Sequence, residues 1–294
     1  MTASDLDIPP AWSKAADLVL GSGWRRILVI GATDVGKSAY CRYLSGRLLD
    51  AGARVAIVDG DIGQKDIGPP AAVTLGFPER SQTFSATPPV GFHFIGSTNP
   101  APRITSLVVG VARLSEAAAG EAVTLINASG LVHGPGRRLQ ARQIEAVRPD
   151  MIIALERDRE LAALLDAHSH YRILRLPRSP KAKRKSAAKR AAARRRRFAA
   201  YFQAASCHRL PLDDLVIQRS LLSDESAEIT PNLLCGIADR AGAGTGLAII
   251  EAIDGRDDTI SLITPVPRDR INLLQLGDMR IDRDGRELTT EPSS

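Results

Sequence analysis

One stretch constrains this chain more than any other: a short apolar run that leads directly into a glycine-rich octet. The run covers residues 27–30, and the octet Gly31-Ala32-Thr33-Asp34-Val35-Gly36-Lys37-Ser38 fits the pattern G-x-x-x-x-G-K-[ST]. Apolar residues then recur at helical spacing from Tyr40 to Leu48. A strand, a glycine-rich turn and a helix in this order predict a loop that cradles phosphate at a helix N-terminus, where backbone N–H groups favour anions.

Each residue type in the octet contributes to holding a phosphate. Gly31 and Gly36 allow a tight turn that brings backbone N–H groups close to phosphate oxygens. Lys37 reaches terminal phosphates as a point charge, and the Ser38 hydroxyl suits Mg²⁺. An accidental glycine-rich turn is the alternative, and the strand and helix that flank the octet argue against it. The predicted nucleotide-binding residues are Gly31, Thr33, Asp34, Val35, Gly36, Lys37, Ser38 and Ala39.

A second apolar strand delivers two carboxylates. Residues 55–58 lead into Asp59-Gly60-Asp61-Ile62-Gly63-Gln64, which is typical of a Walker B strand, where a carboxylate holds Mg²⁺ or its waters beside the P-loop. Positions i and i+2 of a strand share a face, so Asp59 and Asp61 can both point at the site. We therefore predict Mg²⁺ at Ser38, Asp59 and Asp61, with one carboxylate serving a reacting hydroxyl. Two solvated turn aspartates are the alternative.

Strands and helices alternate over the first two thirds of the chain. Buried-type strands are expected at 123–126, 151–155 and 172–176, with amphipathic helices between them. This order predicts an α/β fold, a P-loop NTPase with a mainly parallel sheet flanked by helices. From Leu210 short apolar segments alternate with turn signals, and 242–246 fits a hairpin turn. We predict a P-loop domain over 1–205 and a small C-terminal β domain over 206–294 that ends in a disordered polar tail.

Composition argues against membrane and disulfide-rich proteins. No apolar run approaches the ~20 residues of a membrane span, and the N-terminus lacks a basic region followed by an apolar core. The cysteines Cys41, Cys207 and Cys235 show neither disulfide nor zinc spacing, which predicts small buried side chains in a reducing compartment. We expect a soluble, cytoplasmic protein that does not contact a membrane.

The basic residues are concentrated in one segment. Eleven Lys and Arg residues lie between Arg178 and Arg197 with no Asp or Glu among them, so the rest of the chain is net acidic although the whole carries +6. The segment 179–205 is Ala-rich and free of Gly and Pro after Pro180, which predicts a helix. Solvated helices usually interleave acidic residues, so the pattern favours contact with phosphate or nucleic acid over a merely solvated face.

Several motifs occur in one order along the chain. They are the octet 31–38, the run Asp59-Gly60-Asp61-Ile62-Gly63-Gln64 with Asp66-Ile67-Gly68-Pro69-Pro70 after it, Phe94-Ile95-Gly96-Ser97-Thr98-Asn99-Pro100, residues 127–130, and Arg197-Phe198-Ala199-Ala200-Tyr201-Phe202. Together they resemble the P-loop polynucleotide 5′-hydroxyl kinases, a family with a pre-mRNA cleavage-complex subunit and rRNA-processing kinases among its members. The compact archaeal members are the most similar, and the resemblance covers residues 12–202.

The resemblance implies that the γ-phosphate of ATP or GTP moves to the 5′-hydroxyl of RNA or DNA. It places the carboxylate near the acceptor hydroxyl at Asp61, with Gln64 beside it, and assigns the turn around Thr98 to the nucleotide. It assigns the arginine-rich lid over the phosphates to the cluster 194–197, from which Arg194 and Arg197 are taken as candidates. The expected catalytic residues are Lys37, Asp61, Gln64, Arg194 and Arg197.

One motif departs from the family pattern. Several members have Asn-Thr-x-Gly followed by an aromatic residue, whereas this chain has Asn127-Ala128-Ser129-Gly130-Leu131. Leu131 cannot stack on a base as an aromatic side chain does. Two other functions stay open: a nucleotide-binding scaffold of an RNA-processing complex with little turnover, and a kinase or GTPase that acts on a small molecule or a protein.

Overall fold

Strands and helices alternate up to one long basic helix, after which strands predominate. The structure is a computed structural model that describes residues 8–80, 82–120, 122–179, 181–218 and 229–288. The helices are α1 (Pro10–Ser22), α2 (Lys37–Asp50), α3 (Ile104–Ala117), α4 (Pro135–Val147), α5 (Ala162–Ala167) and α6 (Ala187–Phe202). The strands up to α6 are β1 (Arg26–Gly31), β2 (Val55–Asp59), β3 (Ala72–Gly76), β4 (Pro89–Phe94), β5 (Val123–Asn127), β6 (Met151–Glu156) and β7 (Ile173–Pro177). Those after it are β8 (Ser206–Pro211), β9 (Val216–Gln218), β10 (Leu233–Ala238), β11 (Gly244–Asp254), β12 (Thr259–Thr264), β13 (Leu273–Ile281) and β14 (Glu287–Leu288).

Five parallel strands form the centre of the sheet, in the order β2-β5-β1-β6-β7. Alternate residues of β1 serve two cores: Leu28 and Ile30 pack with side chains of α3 and α4, and Ile27 and Val29 pack with those of α1 and α2. Helices therefore cover both faces, and the predicted α/β fold with a mainly parallel core is confirmed. The carboxyl ends of these strands meet along one edge, where open α/β sheets bind ligands.

The strands next to β2 run antiparallel. β3 pairs with β2, and β4 pairs with β3. The sequence predicts a short segment near residues 73–75 and a short strand at 93–95, and neither pattern specifies the direction of a strand. The direction follows from the connection, because residues 60–71 contain no helix that could carry the chain back for a parallel pairing.

The strands after α6 form an array with its own core. Cys235, Ile250 and Leu262 are fully buried in that core, and the array joins the central sheet where Gly244 of β11 pairs with Phe92 of β4. The predicted hairpin at 242–246 is confirmed as the β10–β11 turn, although Gly244 already belongs to β11. The strand pattern begins at Ser206, earlier than the predicted Leu210. A division into two domains at 205/206 stays a prediction. The polar tail was predicted to be disordered after Arg286, which is wrong for Glu287 and Leu288, because they pair with β13 as β14; the rest of the tail lies outside the described residues.

The basic helix begins later than the sequence predicted. Ser186 caps α6, since its hydroxyl accepts the Lys189 N–H at 3.2 Å, and residues 181–186 are not helical. The second half of α6 buries Phe198 and Phe202 in a core shared with Leu234 and Leu247 of the C-terminal array. The first half keeps most of its side chains exposed. Apolar packing therefore holds the second half of α6, whereas the first half is mostly exposed to solvent.

Trp12 supports the P-loop from below. It is fully buried, its ring lies edge-on to Tyr40 of α2 with centroids 5.3 Å apart, and its indole N–H donates to the Pro177 carbonyl at 2.9 Å. A Cβ added at Gly36 would lie 3.1 Å from this ring, and Gly36 has a φ of 108°, so only glycine suits the position.

The prediction that all three cysteines are buried is correct for two of them. Cys41 and Cys235 are buried as predicted, but the prediction is wrong for Cys207, which is exposed. The reason is that Cys207 lies on the solvent side of β8, where its thiol donates to Glu251 at 2.8 Å.

Within the described ranges, no helix is both long and apolar enough to cross a membrane.

Candidate active site

Lys37 lies inside the turn that the octet forms. Its side chain is 5% exposed, and its ammonium donates to the Ala32 carbonyl at 3.1 Å. Burial lowers the pKa of Lys37, and the negative charge of Asp61 is the main opposing effect. Asp34 at the apex of the loop has a left-handed φ of 61°. The loop thus holds a cation in its centre, with an acidic side chain at its apex.

Asp59 accepts hydrogen bonds from four N–H groups. Its Oδ1 accepts from the Asp61 backbone and the Asn127 side-chain amide, both at 3.2 Å. Its Oδ2 accepts from the backbone of Asp66 at 2.8 Å and of Ile67 at 3.2 Å. These donors use the lone pairs of both carboxylate oxygens. Asp59 is 1% exposed, and its hydrogen bonds to the backbone of Asp61, Asp66 and Ile67 fix the loop that carries Asp61 and Asp66.

Lys65 is the buried countercharge of Asp59, and sequence reasoning did not single it out. Its ammonium lies 3.8 Å from Asp59 Oδ2 and donates to the Asp59 backbone carbonyl. Neither side chain is accessible beyond 1%. Burial lowers the pKa of Lys65, while the charges of Asp59 and Asp61 oppose that shift. The pair stabilises the turn from below.

Replacing Lys65 with methionine is expected to lower the free energy of unfolding by about 3 kcal/mol, because a buried carboxylate loses its partner. Urea denaturation followed by circular dichroism measures the change. Lys14→Met, at an exposed position of α1, is the control and is expected to stay within about 0.5 kcal/mol of the wild type. Equal losses in the two variants would contradict a structural role for the Lys65–Asp59 pair.

Asp61 and Gln64 form a tight turn together. Asp61 Oδ1 accepts the backbone N–H groups of Gly63 at 3.3 Å and Gln64 at 3.0 Å. Burial raises the pKa of Asp61, and Lys37 is the main group that opposes the rise. The Gln64 side-chain oxygen accepts from the Lys185 ammonium at 3.2 Å. The two predicted residues therefore lie side by side, with Lys37 close enough to affect the titration of Asp61.

Asp66 is a further carboxylate at the P-loop, and the sequence analysis gave it no chemical role. The Arg42 guanidinium lies 3.5 Å from its Oδ1, and its Oδ2 is buried without a hydrogen-bond partner among the described residues. Burial raises the pKa of Asp66 and Asp59 adds to the rise, whereas Arg42 and the Ser38 hydroxyl lower it. Only the return of the chain after Asp61 brings this carboxylate to Ser38.

Two adjoining clefts open along the carboxyl edge of the sheet. The P-loop cleft, about 850 Å³, is lined among others by Lys37, Ser38, Asp66 and Arg197. The side cleft, about 370 Å³, is lined among others by Thr33, Thr98, Gly130 and Arg157. Five residues line both clefts: Asp34, Asp61, Gly63, Gln64 and Arg194. Asp61 and Gln64 therefore stand between the two spaces.

The loop 129–131 forms one wall of the side cleft and is fixed by two neighbours. The Thr33 hydroxyl donates to the Gly130 carbonyl at 3.3 Å, and a Cβ on Gly130 would lie 2.5 Å from Thr33 Oγ1. Gln140 of α4 donates to the carbonyls of Ser129 at 2.8 Å and Leu131 at 3.1 Å. The distance between the P-loop and this wall is therefore set by direct contact.

Thr98 lies in the side cleft. Its carbonyl is 3.1 Å from where a Cβ on Gly63 would stand, so the turn that carries Thr98 packs closely on the Asp61–Gln64 turn. The structure places it with Ser129 and Gly130 in the lining of one cleft. Its contact with a nucleotide stays a prediction.

The two predicted lid arginines have partners outside α6. Arg194 forms an ion pair with Glu287, and Arg197 donates to the Ser85 carbonyl at 3.1 Å. Both line the P-loop cleft, and Arg194 also lines the side cleft. The structure thus brings Arg194 to the space beside Asp61, and the catalytic role of both arginines stays a prediction.

Arg157 is a site residue that sequence reasoning missed. It follows β6, and its guanidinium donates to the carbonyls of Thr33 at 3.4 Å and Asp34 at 3.3 Å. Because β6 neighbours β1 in the sheet, the loop after β6 reaches the apex of the P-loop. The sequence does show an arginine directly after a buried strand, but this position indicates a site residue only when the order of the strands in the sheet is known.

Fold and site together define a class. A glycine-rich loop joins the central strand of a parallel sheet to a helix, encloses a buried lysine, and faces carboxylates from the end of β2 and the loop after it, two strands away in the sheet. This is a P-loop nucleotide-binding protein.

The comparisons with known proteins identify the family. Residues 31–204 match the family model described as the mRNA cleavage and polyadenylation factor CLP1 P-loop, and the chain belongs to this family. It is 32% identical to a polyribonucleotide 5′-hydroxyl-kinase of Pyrococcus abyssi, over 90% of this chain and 89% of the relative. A second such relative, from Methanocaldococcus jannaschii, is 28% identical over 90% of this chain and 89% of its own. The predicted family and its likeness to archaeal members are confirmed.

A solved structure shows the same fold. Wild-type Clp1p, in its complex with a Pcf11p fragment, superposes with a TM-score of 0.73 over 92% of this chain and 77% of that chain, at 12% identity. The overlap extends beyond the residues that match the family model, because 92% of the chain includes most of the C-terminal array.

Proposed function

We propose that this chain is a polynucleotide 5′-hydroxyl kinase that transfers the γ-phosphate of ATP or GTP to the 5′-hydroxyl of RNA. One observation carries the proposal: Asp61 and Gln64 lie where the P-loop cleft and the side cleft meet. Phosphoryl transfer requires the acceptor oxygen and the phosphate in line within one site. The names of the archaeal relatives, polyribonucleotide 5′-hydroxyl-kinases, support RNA as the acceptor.

The P-loop cleft is the donor half of the proposed site. The backbone N–H groups of the octet and the Lys37 ammonium hold the β- and γ-phosphates, while Arg42 and the basic segment line the space beyond them. Lys37 exchanges its bond to the Ala32 carbonyl for one to phosphate oxygen. Arg194, at the junction of the clefts, offsets charge on the transferring group, as arginines do in other phosphoryl transfers.

The side cleft is the acceptor half. Asp61 accepts the proton of the 5′-hydroxyl or orients it, and Gln64 fixes the turn on which Asp61 stands. The Thr98 carbonyl packs closely on Gly63 of the Asp61–Gln64 turn, and the wall at 129–131 is joined to the P-loop by the Thr33 hydroxyl, which donates to the Gly130 carbonyl. Arg157 and Arg184 give this cleft a positive lining that suits a polynucleotide end.

Mg²⁺ fits beside Ser38, with Asp66 as the carboxylate. Asp66 Oδ2 is buried and has no partner in the described part of the chain, whereas both oxygens of Asp59 are used by N–H donors. Ser38 and Asp66 would therefore hold the ion, Asp61 stands nearby, and Asp59 acts by holding the loop. Mg²⁺ neutralises phosphate charge when bound.

Asp66→Asn is expected to weaken divalent-ion binding about tenfold, because the site loses a charged ligand. Titration of Mn²⁺ into the protein with ADP, with free Mn²⁺ followed by electron paramagnetic resonance, measures this without turnover. Asp158→Asn, in the exposed loop after β6, is the control and should bind like the wild type. Unchanged Mn²⁺ affinity in Asp66→Asn would exclude Asp66 as a ligand.

A labelling assay tests the proposed function. The protein is incubated with γ-labelled ATP or GTP, Mg²⁺ and matched RNA or DNA oligonucleotides that carry either a 5′-hydroxyl or a 5′-phosphate. Label on the 5′-hydroxyl RNA, and none on the 5′-phosphate control, is expected. Nucleotide binding without transfer to any oligonucleotide would contradict the kinase and leave the scaffold function.

A further inference from the structure

Asp34 places an acidic side chain at the apex of a loop built to bind phosphate. The side chain is 4% exposed, yet it lines both the P-loop cleft and the side cleft. A carboxylate without cationic partners at this position would repel the phosphates of a nucleotide. Its charge therefore needs compensation, and the partners that the structure shows come from the basic segment.

Two residues of that segment converge on the Asp34 carboxylate. Its Oδ2 accepts the Lys185 backbone N–H at 3.0 Å and lies 3.5 Å from the Arg190 guanidinium. Arg190 also donates to the Lys185 carbonyl at 2.7 Å, which closes the turn between the two residues. The Lys185 ammonium meanwhile donates to Gln64. One acidic side chain thus ties the start of the basic segment to the P-loop and, through Lys185, to the Asp61–Gln64 turn.

The other end of the segment is fixed in a different way. Phe198 is fully buried, Gly285 packs so closely on α6 that an added Cβ would lie 2.6 Å from Phe198 Cβ, and the Tyr201 hydroxyl accepts the Leu247 N–H at 2.8 Å. The C-terminal array therefore supports the second half of α6 by packing. The first half and residues 181–186 extend from this support over the P-loop cleft, where polar contacts hold them.

We infer that Asp34 is a positioning residue that holds the basic segment closed over the P-loop, with Lys185 at the P-loop cleft and Arg190 at the side cleft. Arg190 pairs with the Asp34 carboxylate, while Lys185 contacts it only through its backbone N–H and directs its ammonium to Gln64, so the Lys185 charge is not neutralised by Asp34 and faces phosphate. We call residues 181–186 and the first half of α6 the lid. The C-terminal array supports one end of the lid, and the contacts of Asp34 with Lys185 and Arg190, which we call the latch, hold the other end. The role toward phosphate rests on the proposed function, whereas the latch itself does not.

The left-handed backbone at Asp34 decides which variants are informative. Asn and Gly both accept a φ of 61°, whereas Ala would add backbone strain. Asp34→Asn removes the charge and keeps one acceptor for the Lys185 N–H, and Asp34→Gly removes both contacts. Asp284→Asn is the matched control, because Asp284 also faces an arginine of α6, Arg195 at 3.9 Å, but at the exposed rim of the supported half.

Trypsin digestion of the nucleotide-free protein tests the latch without reference to activity, because it cuts after Lys181, Lys183, Arg184 and Lys185 when this stretch opens. Cleavage there is expected to be about threefold faster in Asp34→Asn and about tenfold faster in Asp34→Gly, since cleavage follows the population of the open form. Asp284→Asn should cut at the wild-type rate. Equal rates in all four proteins, with the sites identified by mass spectrometry, would overturn the latch.

Steady-state kinetics with the 5′-hydroxyl RNA oligonucleotide tests the role toward phosphate. Asp34→Gly is expected to raise the KM for the donor nucleotide about tenfold, with a smaller change in kcat, because Lys185, which lines the P-loop cleft, is displaced and Asp34 does not touch the reacting atoms. Faster trypsin cleavage with an unchanged KM would overturn the role toward phosphate and keep the latch. A protein that transfers no phosphate but shows the trypsin pattern would refute only the proposed function.

Discussion

Asp61→Asn is expected to lower kcat for phosphoryl transfer by about 10³-fold while the KM for the donor nucleotide stays within about threefold, since general-base assistance contributes 10²–10⁴. Asparagine keeps the Oδ1 that accepts the N–H groups of Gly63 and Gln64, so the turn should survive. It removes the negative charge and the capacity to take a proton. Rates with labelled ATP and a 5′-hydroxyl RNA oligonucleotide measure the effect.

The pH dependence of kcat independently tests whether Asp61 is the general base. Burial raises the pKa of Asp61 above the ordinary value for an aspartate, with Lys37 only partly offsetting the rise. Asp61 must be ionised to accept a proton, so the rate should fall as pH decreases through this raised pKa. In Asp61→Asn that acidic limb should be absent. A variant that keeps the limb, or keeps the wild-type rate, would show that another group is the base.

Lys37→Met is expected to weaken transition-state stabilisation enough to lower kcat/KM by about 10³-fold, because one preorganised donor to developing charge contributes 10²–10³ and donor-phosphate binding is lost as well. Methionine has nearly the length of lysine and suits the 5% exposed position inside the loop, so the fold should be retained. The readouts are nucleotide affinity by calorimetry and transfer rate with the RNA oligonucleotide.

The control for Lys37 is the other buried lysine of the site. Lys65→Met removes an equally buried ammonium, but one that pairs with Asp59 beneath the turn. It should lower the unfolding free energy with a smaller loss of nucleotide affinity, whereas Lys37→Met should lose affinity and keep stability. Burial also lowers the pKa of Lys37, so its removal relieves a desolvation cost. If Lys37→Met bound nucleotide like the wild type, the phosphate-binding role would be refuted.

The local parts of the site could be predicted because each depends on a few neighbouring residues. The octet specifies its own turn, since a strand, two glycines and a helix start leave few alternatives. Asp61 and Gln64 lie within one turn, and their proximity follows from their spacing in the sequence. The parallel core strands were predictable from their alternation with helices.

The parts that were missed depend on where distant segments meet. Arg157 reaches the P-loop because β6 neighbours β1, and no local pattern states the strand order. The start of α6 was placed too early because the basic composition favours helix throughout 179–205, whereas residues 181–186 are not helical and the Lys185 N–H bonds the distant Asp34 carboxylate. Cys207 was expected to be buried because composition does not reveal which face of a strand meets solvent.

The sequence by itself determined the phosphate-binding loop, the carboxylate turn, the α/β class and the family, because these are carried by residues close together in the chain. Only the tertiary structure decided which carboxylate faces Ser38, which cations reach the apex of the P-loop, and what supports the basic helix. The physical reason is that a carboxylate or an ammonium acts on groups within a few ångströms. Those distances are set by the packing of Phe198 and Trp12 and by the order of the strands in the sheet, and not by spacing in the sequence.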